Sequence, residues 1–135
     1  MKILFISVVA FSMILPQSCK KDNSSGGAED PGIDRNIRFQ LYTDKDFSSE
    51  TSLIKFSVFI RDAHSTLFDS SLAPMELKDI PGAANKMIIE KKVSGYGNKD
   101  LAAGFRYEIE NVGHSGYTDT SRAGNALKVI DYAFH

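Results

Sequence analysis

From Asn36 onward, hydrophobic and polar residues alternate with a period of two. In Asn36–Thr43, Ile37, Phe39 and Leu41 interleave with Arg38, Gln40 and Tyr42; in Ser52–Asp62, Ile54, Phe56, Val58 and Ile60 share one face. A strand turns successive side chains to opposite faces, so this spacing predicts half-buried strands. Ser65–Asp69, Pro74–Lys78, Lys86–Val93, Gly104–Val112 and Ala126–Phe134 fit the same reading, separated by clusters of Gly, Pro, Asn and Asp. About seven short strands with no helical run predict an all-β sandwich over residues 36–135. Its expected core is Phe39, Phe56, Val58, Ile89, Phe105, Ile109 and Ile130.

The beginning of the chain obeys a different pattern. Met1 and Lys2 precede a continuous apolar run, Ile3–Leu15, broken only by serines. That is the layout of a secretory signal peptide, assigned to residues 1–18. As a helix the run would extend about 20 Å against a hydrocarbon core of about 30 Å, too short to span it comfortably. Lys20–Arg35, "KKDNSSGGAEDPGIDR", has no apolar period and is rich in Gly, Ser and Asp. This composition predicts a flexible tether over residues 19–35, reaching about 55 Å when extended and roughly 22 Å as a coil.

Between the apolar run and the tether stands Cys19, the only cysteine of the 135 residues. With no second cysteine, an intrachain disulfide is impossible. The stretch "LPQSC" resembles a bacterial lipobox, in which the cysteine after the cleavage point is acylated and becomes the mature amino terminus. Pro16 stands where such motifs usually carry leucine, and Leu15 is one step earlier. The resemblance implies a membrane anchor through acylated Cys19, because two or three acyl chains hold far longer than one. With its short polar tether, "SCKKD" is similar to the small lipoproteins of Bacteroidota, which implies a cell-envelope and outer-membrane location.

In "DLAAGFRYEIEN", Leu101, Gly104 and Tyr107 form an L-x-x-G-x-x-Y arrangement leading into an alternating segment. It resembles the tyrosine corner of immunoglobulin-like domains, whose hydroxyl returns to the backbone upstream and pins a connection between strands. The buried Trp and cysteine pair of antibody domains are missing. The closer comparison is therefore with immunoglobulin-like or transthyretin-like sandwiches that lack a disulfide.

Charge and candidate chemistry narrow the function. A formal net charge of −1 supplies no basic footprint, so nucleic acid is not expected as a partner. Asp44 and Asp46 begin like a calcium loop, but Ser49 and Lys55 occupy the positions needing Gly and Glu. His64, His114 and His135 show no zinc spacing, and no phosphate-loop or dinucleotide motif follows Gly95–Gly97, so neither metal nor cofactor is expected. Near "GHSG", His114, Ser115 and Asp119 have the composition of a triad but not the spacing of a nucleophile elbow. Two longer connections, Ser94–Gly104 and Gly113–Asn125, carry Tyr96, His114 and Tyr117 as candidate binding residues. The expectation is a non-catalytic binding or assembly module for an envelope protein. The alternative is an accessory lipoprotein that binds a glycan or small molecule for a neighbouring enzyme or transporter.

Overall fold

Alternation along the chain becomes two faces of a sheet, one of them dry. The computed structural model describes residues 33–135, so the signal-peptide, Cys19 and most of the tether assignments lie outside the described residues. Eight strands follow in order: β1 (Arg35–Thr43), β2 (Leu53–Arg61), β3 (Thr66–Ser71), β4 (Met75–Glu76), β5 (Met87–Val93), β6 (Leu101–Ile109), β7 (Gly113–Ser121) and β8 (Leu127–Phe134). Single 3₁₀ turns at Leu77–Asp79 and Ala83–Asn85 connect β4 to β5.

One sheet has the order β5-β1-β8, with β1 antiparallel to β5 and parallel to β8. The other runs β3-β2-β6-β7, all antiparallel, with β4 alongside the start of β2. Ile37, Phe39, Leu41, Ile54, Phe56, Val58, Ile60, Leu101, Phe105 and Ile130 are fully buried between the sheets, while Ile89 and Ile109 pack half-buried against them. Phe39 meets Phe105 edge-on across the interface at 5.6 Å, and Phe56 meets Phe134 at 5.8 Å. Two sheets packed over such a core are the all-β sandwich expected from the sequence.

The partition of strands is not that of constant-type immunoglobulin domains. Constant-type immunoglobulin domains place strands A, B, E and D in one sheet and C, F and G in the other. Here, setting aside the two-residue β4, the first strand joins the fourth and the last, while the second joins the third, fifth and sixth. The architecture these strands establish is the all-β sandwich, with a strand partition of its own.

Three boundaries depart from the sequence expectation. Gly113–Ser121 is a nine-residue strand, β7, rather than part of a loop, and its register with β6 is unbroken from Leu101↔Ser121 to Ile109↔Gly113. It shows no apolar alternation because it is an edge strand exposed over most of its length. β6 begins at Leu101, three residues early, because Leu101 and Ala103 already face the core. The domain also takes in Arg35, assigned above to the tether: it opens β1 and is fully buried.

The tyrosine corner is likewise corrected. Leu101, Gly104 and Tyr107 all lie within β6, so they cannot pin a connection between strands. Leu101 and Tyr107 share the inner face, and the Tyr107 ring stacks on Tyr132 at 6.4 Å and meets Phe134 edge-on at 5.2 Å. Burial and then the neighbouring Tyr107 phenol push Tyr132 from 10.0 up to about 12. A phenol whose folded value is raised contributes stability below its unfolded value and loses it as pH climbs through the folded one. Wild-type stability should therefore fall between pH 10 and about 12. In Tyr132→Phe this alkaline limb should flatten, as read by urea midpoints at pH 8, 10 and 11.5; a parallel decline in both chains would assign it to other groups.

Candidate functional site

The β6–β7 hairpin shapes the most featured surface of the described residues. Its turn closes with the Val112 N–H donating to the Ile109 carbonyl at 3.1 Å, and Asn111 takes the left-handed conformation, φ 61°, that a tight turn tolerates in Asn. Register then fixes which side chains share the outer face of the sheet. One row across the strands is Ser71, Ser57, Arg106 and Gly116; the next is Lys55, Glu108 and His114. These residues line a groove of about 480 Å³.

Glycine makes the groove concave. Gly116, opposite Arg106, leaves no side chain above the floor, and a Cβ there would meet the Phe105 carbonyl oxygen at 2.8 Å. Gly104, in the adjoining row, sits so close to β7 that a Cβ would run into the Tyr117 carbonyl oxygen. Beside it lies a second hollow of about 340 Å³ lined by Phe59, Arg61, Asp69, Arg106 and Thr118. Phe59 is only 6% exposed although it points outward, because Arg106 and Arg61 lie over its ring at 4.9 and 5.6 Å. Arg106 is further fixed by an ion pair with Asp69.

Electrostatics distinguish the two rows. Elsewhere on the sheets, charges meet partners: Arg38 with Glu90 at 2.6 Å, Lys86 with Asp131 at 2.7 Å, Lys128 with Asp119 at 2.5 Å. In the row Lys55, Glu108 and His114, a cation, an anion and an imidazole lie on neighbouring strands, yet none of the three makes an ion pair or a side-chain hydrogen bond among the described residues. Such groups are hydrated and free to engage a polar partner without first giving up an internal contact.

The residues singled out from sequence are dispersed by the fold. His114 reaches the groove. Tyr117, on the opposite face of β7, stacks on Tyr132 at 5.3 Å and is 36% exposed. Tyr96 packs against the core and gives its carbonyl to Arg35 at 3.0 Å, so it is a structural member of its loop. The alternation of β7 also separates His114 from Ser115 and Asp119. Asp119 is held below its ordinary value first by the Lys128 ammonium and then by the Thr120 N–H. Asp46 accepts from the Ser48 N–H at 3.0 Å in a turn, while Asp44 faces His135 at 3.0 Å.

Sequence reasoning missed Lys55, Ser57, Arg106 and Glu108 because outward polar residues of a strand look alike until register shows which ones meet. Gly104 and Gly116 were the available signal, since glycine inside a strand marks a close approach or a hollow. Family models, curated proteins and solved structures were compared with the chain, and none matches.

Proposed function

We propose that this chain is a lipid-anchored, non-catalytic binding module of the cell envelope, held to the outer membrane by acylated Cys19. Its recognition surface is the groove on the outer face of the β3-β2-β6-β7 sheet. The observation that carries the reading is the row Lys55, Glu108 and His114, unpaired beside a hollow in which Arg106 is already oriented by Asp69. A partner that offers both charge signs and hydrogen-bonding groups, as a protein surface does, fits this row. A glycan finds less here, because the one aromatic ring of that face, Phe59, is roofed by two guanidinium groups.

Anchor and surface separate in one experiment on native envelopes. The Cys19→Ser chain should lose metabolic fatty-acid label and leave the membrane fraction. Lys55→Ala/Glu108→Ala should keep the label and stay within about 0.5 kcal/mol of wild-type stability. It should also recover the chemically crosslinked envelope partner about tenfold less well, equal to about 1.4 kcal/mol of affinity. Label retained by Cys19→Ser removes the anchor, and equal recovery by the double variant removes the surface.

A further inference from the structure

A sandwich of two open sheets has four lateral edges, and three are guarded. β3 is short, and its pairing shifts register at Ile60/Arg61. β5 carries Glu90, Lys91 and Lys92 in succession, and β8 carries Lys128 and Asp131. Short strands, irregular pairing and charged side chains are the devices by which proteins keep edges from pairing with other chains. β7 has least of them: its nine residues hold no Lys, Arg or Pro, and its pairing with β6 contains no bulge. Its one acidic residue, Asp119, is neutralised by Lys128.

We propose that β7 pairs edge to edge with β7 of a second copy of this chain, joining the two five-stranded sheets into one continuous sheet. The sequence of the strand argues for a second copy rather than another partner. In a two-fold antiparallel pairing, residues directly opposite must lie on the same face, and the only register that uses all nine residues of both strands is centred on Tyr117. It sets His114 opposite Thr120 of the second copy and Gly116 opposite Thr118 of the second copy on the outer face. On the inner face Ser115 meets Asp119 of the second copy, a hydroxyl that can donate to a carboxylate, and no like charges stand opposite one another. Tyr117 meets its own counterpart, so the stack of Tyr132 on Tyr117 extends across the two-fold axis. Cross-strand aromatic pairs of this kind stabilise sheets. One strand pair is small against the roughly 800 Å² per partner of standard complexes, so the dimer is weak and is read by trapping. It leaves the groove of each copy on the same outer face and does not depend on what that groove binds.

The test uses the full-length protein in native envelopes and a short bis-maleimide. His114→Cys and Thr120→Cys chains are produced separately and together, and the wild-type chain with Cys19 alone sets the background. Opposite residues in the proposed register are about 5 Å apart at Cβ, whereas His114 and its own counterpart are about 20 Å apart along the strands. The mixture should give a covalent dimer about tenfold above background, with each single variant at background. Both positions are exposed, so neither substitution touches the core. A mixture no better than the single variants, or an equal yield from Ile88→Cys on the other sheet, overturns the proposal.

Discussion

Gly104→Ala should lower stability by about 3 kcal/mol, at the upper end of what an overpacked methyl group costs. The added Cβ would collide with the Tyr117 carbonyl oxygen and approach Thr118 Cα and the Tyr117 carbonyl carbon to 2.9 Å. All three are backbone atoms, and no rotamer change moves backbone aside. Relief requires β7 to retreat from β6 near the middle of their pairing, where Gly104 faces Thr118. For a domain of about 100 residues the loss corresponds to a drop in Tm of about 15 °C. Gly82→Ala provides the control, because its φ of −75° suits any residue and nothing lies within 4 Å of the new atom. That variant should be neutral or slightly stabilising. Equal effects of the two substitutions would mean that β6 and β7 are not in this close approach.

Arg35→Met should cost about 3 kcal/mol for a different reason. The Arg35 guanidinium is fully buried and donates to the carbonyls of Ser121, Tyr96 and Gly97 at 3.0–3.1 Å. It thereby ties the start of β1 to the end of β7 and to the loop before β6. Methionine fills much of the space but takes a charged donor from three carbonyls; Gly97 keeps the Gly124 N–H at 2.7 Å and Tyr96 the Lys99 N–H at 3.3 Å, and hydrogen bonds with a charged partner contribute about 1.5–3 kcal/mol each. Arg35→Lys keeps the charge but lacks the planar fork that reaches several acceptors, so it should recover only part of the loss. The charge is also felt outside: Asp100 is held below its ordinary value by the Ala123 N–H, by Arg122 and, more weakly, by the field of Arg35. Denaturation midpoints of the three chains check the order wild type, Arg35→Lys, Arg35→Met. A methionine variant within 0.5 kcal/mol of wild type would contradict the latch.

Of the two residues, Gly104 stood out in the sequence within the L-x-x-G-x-x-Y arrangement, whereas the importance of Arg35 was concealed. Arg35 follows a Gly- and Asp-rich stretch and reads as its last polar residue, because nothing in a linear pattern shows that three carbonyls converge on it. Ile37, Phe39 and Leu41, by contrast, announce their strand directly, since one buried face against one wet face writes itself as alternation. β7 lacks that signature for a physical reason: as an edge strand it buries little, and of its inward-turned side chains Ser115, Tyr117, Asp119 and Ser121 only Ser121 is buried. Its legible traces are the turn residues Asn111 and Gly113 and the β-branched Thr118 and Thr120. The L-x-x-G-x-x-Y pattern misled because Leu101 and Tyr107, six positions apart, share a face in any strand of period two. The groove was legible only as glycines; its charges required the register.

The proposed recognition surface is the outer face of the β3-β2-β6-β7 sheet. A photo-activated crosslinking residue is placed at position 114 and, separately, at position 129 of the full-length chain in living cells. His114 lines the groove, whereas Val129 is 38% exposed on the outer face of the opposite sheet. Apart from any self-adduct of the chain, position 114 should give a discrete adduct with another envelope protein that disappears in Lys55→Ala/Glu108→Ala, and position 129 should give none. Adducts from position 129 alone, or from neither position, would contradict it.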